Sequence, residues 1–105
     1  MSDPRRGEVW LIDLGLAAKI RPCLVASVPP TGPRDRVLVT LVAHTTSPRG
    51  SNFEMAVSVR FLKPEVFDAQ NLVTVPHAKL VRRLGSLTAE QLADVETLIR
   101  RWLGL

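Results

Sequence analysis

The sequence predicts a mainly β domain of the α+β class, in which a small antiparallel sheet curls into a partly open barrel and one helix follows it. Five short runs rich in β-branched and apolar residues fill the first three quarters of the chain. Segments rich in proline, glycine and small polar residues interrupt these runs, and a single helical pattern lies at the C-terminal end. With 105 residues, the chain is expected to form one domain, residues 1–105.

The predicted strands are short and closely spaced. The first is apolar on both faces, which is typical of a strand that is covered on both sides. The third contains the longest β-prone run and is therefore predicted to be central in the sheet. The five ranges are Gly7–Leu14, Arg21–Val28, Arg36–His44, Glu54–Val59 and Val66–Val75.

The predicted helix begins after Thr88, a good N-cap residue, and Gln91 three positions later completes a capping-box pattern. Its apolar residues recur every three or four positions and predict a face that packs on the sheet; they are Leu92, Val95, Ile99 and Trp102. Gly104 suits the end of the helix. We expect Leu80–Leu87 to be a turn into this helix, and both Trp10 and Trp102 to lie in the core.

Composition excludes several classes of protein. One cysteine cannot form an internal disulfide, and with only two histidines a conventional metal site is not expected. The chain has neither an apolar run of about 20 residues nor an apolar N-terminal leader, so a soluble cytoplasmic protein is predicted. The net charge is +4, and residues 1–87 hold 12 basic and 7 acidic side chains, which favours a polyanionic partner.

Arg21 is the first candidate for chemistry. It opens the second predicted strand, and Pro22 favours an extended backbone at this position. A guanidinium there can bind a phosphate through two parallel hydrogen bonds and stabilise negative charge that grows in a transition state. The alternative is a solvated arginine at the end of a strand.

The strand Gly7-Glu8-Val9-Trp10, the loop after it and Arg21-Pro22 together resemble the start of the MazF/PemK family of type II toxin–antitoxin toxins. The resemblance implies an SH3-like curled barrel with a C-terminal helix. It also implies a sequence-specific endoribonuclease that needs no metal or other cofactor. Such an enzyme cleaves single-stranded RNA by attack of the ribose 2′-hydroxyl, leaving a 2′,3′-cyclic phosphate and a 5′-hydroxyl. The implied partners are a cognate antitoxin and a second copy of the chain.

The same resemblance places a functional threonine at the end of the third strand. Thr45 fits this position best, and Thr46 is the adjacent alternative. His44 stands where an aliphatic residue is expected, and an imidazole there could act as a general base or acid near neutral pH. Because alternation puts His44 on the face opposite Thr45, a partly buried, hydrogen-bonded structural histidine is an equal alternative.

Six further side chains are expected to contact RNA: Arg6, Lys19, Arg49, Gln70, Asn71 and Lys79. The amides could read a base edge, and the cations could follow the phosphate backbone. Relatives often carry an arginine at the position of Val73, so any charge contact from that strand is lost here. The loops around residues 15–20 and 47–52 are expected to set the RNA sequence that is recognised.

Two other functions agree with the same composition. A non-catalytic SH3-like module that binds nucleic acid would have the same charge and fold. A gyrase-inhibiting toxin of the CcdB type would act instead through the end of the helix, from Trp102 to Leu105.

Overall fold

The computed structural model describes residues 3–15 and 19–105. Within these residues, six strands form one antiparallel sheet in the order β4-β5-β3-β2-β1-β6. The elements are β1 (Glu8–Asp13), β2 (Ile20–Val25), β3 (Leu38–Thr45), β4 (Glu54–Ala56), β5 (Val66–Pro76), a 3-10 turn (His77–Lys79), β6 (Leu80–Ser86) and α1 (Ala89–Leu103). The prediction of a small, curled antiparallel sheet followed by a C-terminal helix is confirmed.

The prediction of five strands, with a turn at Leu80–Leu87, is wrong. Leu80–Ser86 is a sixth strand that pairs with β1 along its length. Two irregularities in this pairing add one residue each to β6, between Leu80 and Arg82 and between Arg83 and Gly85. They break the regular alternation that identifies a strand in sequence, because each extra residue reverses the face on which the following side chains lie.

Both faces of the sheet are buried at its centre. On one face, a cluster forms around Trp10, Ile12 and Cys23. On the other, Val9, Leu24 and Phe67 pack with Val95 of α1. Adjacent residues of β1 and β2 therefore belong to opposite clusters, as the period of two requires, and the prediction that β1 is covered on both sides is confirmed.

The helix begins and ends as its sequence predicts. The Thr88 hydroxyl accepts a hydrogen bond from the Gln91 backbone N–H, and the Gln91 side chain accepts one from the Thr88 N–H. Gly104 ends the helix in the left-handed conformation, with φ of 73°. The prediction for Trp102 is wrong: its side chain is 45% exposed and contacts Phe53 edge to face near the helix end.

In the described parts of the chain, no helix combines the length and the apolar character that crossing a membrane requires.

Candidate functional site

A cavity of about 630 Å³ opens at the end of the sheet where β1 finishes, β2 begins and β3 finishes. The loop before β5 and the edge strand β6 complete its walls. Its lining combines apolar surface with four cationic side chains, Lys19, Arg21, Lys63 and Arg82, and no carboxylate belongs to the described lining. The remaining lining residues are Leu11, Ile20, Pro22, His44, Thr46, Phe61, Leu62 and Leu84. This combination suits an anion that carries an apolar or aromatic group.

Arg21 lies in the second position of β2 and borders this cavity. The β2–β3 register pairs Cys23 with Ala43. Continued by two residues in an antiparallel ladder, that register places Arg21 opposite Thr45. Arg21 therefore shares a sheet face with Cys23, and its positive charge opposes the rise that burial causes in the pKa of the Cys23 thiol, to about 12.

The two threonines have different surroundings. Thr46 borders the cavity with Arg21. The Thr45 hydroxyl accepts a hydrogen bond of 3.0 Å from the Ser47 backbone N–H, a common way for a hydroxyl to close a turn. Thr45 does not line the cavity, but the register holds it on the Arg21 side of the sheet.

His44 is 4% exposed and lines the cavity, as do Thr46 and Pro22. Its ring contacts Phe67 edge to face, with 5.1 Å between the ring centroids. Nε2 is enclosed and has no hydrogen-bond partner among the described residues, so the hydrogen-bonded histidine of the structural alternative is not realised at this atom. Burial lowers the pKa of His44, and the negative charge of Glu65 opposes that change, so the imidazole is neutral at pH 7.

A sequence model of the PemK-like, MazF-like toxins of type II toxin–antitoxin systems matches residues 5–103. The chain belongs to this family.

Solved MazF-like structures share its fold. A mycobacterial endoribonuclease in complex with its cognate antitoxin is 27% identical, with a TM-score of 0.81 over 97% of this chain and 96% of that one. The Mycobacterium tuberculosis toxin MazF-mt6 is 29% identical, with a TM-score of 0.79 over 93% and 97% of the two chains. Deinococcus radiodurans MazF superposes over both full lengths at 23% identity, with a TM-score of 0.81, which is a likeness of fold.

Most of the side chains expected to bind RNA lie outside the cavity of this MazF-like chain. Lys19 is the only one of the six that lines it. Arg6 pairs with Glu96 of α1, and Lys79 lies exposed in the 3-10 turn. Gln70 and Asn71 lie where β5 has extra residues, since Val42 pairs with Leu72 and Ala43 with Asp68. Of the expected recognition loop around residues 15–20, positions 16–18 lie outside the described residues.

Arg49 belongs to a loop that the Glu54 carboxylate organises. That carboxylate accepts hydrogen bonds from the backbone N–H groups of Arg49, at 2.9 and 3.2 Å, and Ser51, at 2.9 Å. These bonds lower the pKa of Glu54. The Glu54 side chain thus fixes residues 49–51 of the loop after β3, and Arg49 does not line the cavity that Thr46 of the same loop borders.

Sequence reasoning missed Phe61, Lys63, Arg82 and Leu84 of the cavity lining. Arg82 and Leu84 lie on β6, whose two extra residues interrupt the alternation that would have indicated a strand. Phe61 and Lys63 come from a turn, and no local pattern shows which surface a turn will cover.

Proposed function

We propose that this chain is the toxin of a type II toxin–antitoxin pair and acts as an endoribonuclease on single-stranded RNA. Membership of the MazF-like family supports this, as do the relatives described as endoribonucleases at 27% identity. One observation of the fold supports the choice of residues: Arg21, His44 and Thr46 all border one cationic cavity. In this proposal, the scissile phosphate binds beside Arg21.

The reaction forms one bond and breaks another at the same phosphorus atom. The ribose 2′-oxygen attacks, the bond to the 5′-oxygen of the next nucleotide breaks, and the products are a 2′,3′-cyclic phosphate and a 5′-hydroxyl. The 2′-hydroxyl loses a proton and the 5′-oxygen gains one. DNA lacks the nucleophile and should remain intact.

Three side chains have roles in this proposal. The Arg21 guanidinium stabilises the charge that develops on the phosphate oxygens. A threonine hydroxyl, from Thr46 or Thr45, positions the 2′-hydroxyl so that it can give up its proton. His44, which is neutral at pH 7, is the acceptor for that proton, provided that its enclosed Nε2 becomes accessible when RNA binds.

The proposed partners follow from the relatives and from charge. One relative binds a cognate antitoxin, and the excess of basic residues before α1 favours an acidic inhibitor segment as well as RNA. We also propose a homodimer, which would lengthen the surface available to RNA, and a cytoplasmic location. Cleavage is proposed to be sequence-specific and independent of metal ions.

The test compares cleavage of a long unstructured RNA by the wild type, Arg21→Ala and Arg34→Ala, each in EDTA. Arg34 is an exposed loop arginine outside the cavity and serves as the matched control. We expect Arg21→Ala to reduce the rate by about 100- to 1,000-fold, as for removal of one donor that stabilises transition-state charge. Arg34→Ala should cleave at the wild-type rate.

Primer extension should show stops at defined sequences, and the 5′ fragments should carry a cyclic phosphate. Equal cleavage by wild type and Arg21→Ala would exclude the assigned role of Arg21. RNA that is bound but left intact by the wild type would indicate a non-catalytic binding module.

A further inference from the structure

Phe61 forms one wall of the cavity. Its ring occupies the space beside Gly85 that a side chain at position 85 would otherwise fill. A Cβ atom added to Gly85 would lie within 2.8 Å of Cδ1, Cε1 and Cζ of the Phe61 ring. Side chains do not approach that closely, so any larger residue at position 85 must displace the ring. The ring is half-buried and borders the cavity.

The irregular pairing of β6 with β1 explains why Gly85 faces this way. Gly85 pairs with Val9, and Val9 points to the face that α1 and Phe67 cover. Leu84, the extra residue, and Arg82, which pairs with Leu11, also line the cavity. The edge strand β6 thus places Gly85, which leaves room for the Phe61 ring, near Leu84 and Arg82 on the cavity wall.

The chemistry of this wall suits a nucleobase. An aromatic face stacks with any base, and the neighbouring Arg82 and Lys63 supply positive charge for the phosphates on either side. A cavity of about 630 Å³ is within the usual range for small-ligand sites and is large enough for one nucleotide. The apolar lining next to the cations distinguishes this wall from a groove that only follows the phosphate backbone.

We propose that Phe61, held against Gly85, is the surface on which one unpaired base of the RNA stacks. The inference rests on the proposed function only in taking RNA as the ligand. Phe61 binds the base, and Gly85 is a positioning residue that acts through it.

The test measures binding, so that it does not depend on cleavage. The probes are 2′-O-methyl oligonucleotides of eight residues, in which the nucleophile is blocked: oligo-U, oligo-C, oligo-A and an abasic octamer with the same number of phosphates. For the wild type we expect at least one homopolymer to bind about 10- to 100-fold more tightly than the abasic probe, which is the contribution of base stacking on an aromatic ring.

Phe61→Leu keeps the apolar packing and removes the stacking surface. Gly85→Ala leaves the ring in the protein but displaces it. Both variants should lose most of the preference for bases over the abasic probe, while their affinity for the abasic probe stays near that of the wild type. Phe53→Leu is the matched control, because Phe53 contacts Trp102 at the helix end and not the cavity; it should retain the wild-type preference.

A wild type that binds the abasic octamer as tightly as every homopolymer would overturn the inference without any variant. So would an unchanged preference in folded Phe61→Leu. If the wild type cleaves no RNA but shows a preference for bases that depends on Phe61, the stacking site stands and the nuclease proposal fails. If it cleaves RNA but shows no such preference, the nuclease proposal stands and the stacking site fails.

Discussion

At the scale of single residues, His44 has the environment with the clearest chemical consequence. The ring is buried beside Phe67, and burial disfavours the charged imidazolium. A neutral imidazole can accept a proton from a ribose hydroxyl, whereas an imidazolium cannot. The same burial that suits a core residue therefore also sets the protonation state that a general base requires.

We expect an NMR titration of the His44 imidazole to have its midpoint below 6.5, the ordinary value. The unfolded chain then takes up this proton first as the pH falls. The His44 contribution to the free energy of unfolding is therefore intact above about pH 6.5 and is lost as the pH falls through the folded pKa. Denaturant titrations across this pH range should show that His44→Asn lacks this pH-dependent contribution to the free energy of unfolding. A midpoint at or above 6.5 would contradict the assignment.

Residues in contiguous motifs were predictable and residues brought in by tertiary packing were not. The position of Arg21 at the start of β2 was predictable because Pro22 follows it, and the family resemblance made it the first candidate for chemistry. Phe61 could not be predicted, since its place in the cavity depends on Gly85, which lies 24 positions along the chain and has no side chain to indicate the contact.

At the scale of elements, the sequence predicted those boundaries that depend on interactions between residues close together in the chain. The helix ends were predictable because capping depends on residues three positions apart, Thr88 and Gln91. The strand β6 was not, since its two extra residues and adjacent arginines hide the alternation. Trp102 continues the apolar stripe of α1 but lies beyond the part of the helix that the sheet covers.

The N-cap offers a test with an internal control. Thr88→Ala removes the hydroxyl that accepts the Gln91 N–H and should lower the free energy of unfolding by about 1 kcal/mol. Thr97→Ala makes the same chemical change in the exposed middle of α1, where the hydroxyl bonds to the Ala93 carbonyl. There alanine has the higher helix propensity, so this variant should be as stable as the wild type or slightly more stable. Chemical denaturation measures both, and equal losses would contradict the role of the cap.

At the scale of the whole molecule, the distribution of charge governs binding. The cavity gathers four cations, whereas Arg6 is neutralised by Glu96 on the helix side. Composition alone predicted an excess of positive charge before α1, but it could not show which of the basic residues share one surface. Family resemblance likewise predicted the architecture, because the motifs that carry it lie in the strands that form the sheet.

Affinity for the oligo-U probe should fall linearly with salt on logarithmic axes, because bound cations release counterions from the phosphates. Arg82→Gln removes one cavity cation and should reduce the slope by about 0.7, the value for one phosphate contact on a single strand. Arg34→Gln should leave the slope unchanged. An unaltered slope in Arg82→Gln would place the RNA backbone elsewhere.

The pairing of β6 with β1 joins residues far apart in the chain, from Ile12 with Leu80, 68 positions apart, to Glu8 with Ser86, 78 positions apart. During synthesis, β1 therefore lacks one of its two neighbouring strands until β6 has been made. A truncated product that stops before β6 lacks Arg82, Leu84 and Gly85, and with them one side of the cavity. The topology thus delays assembly of the proposed cleavage site until β6 has been synthesised, so chains that stop before β6 are not expected to cleave RNA.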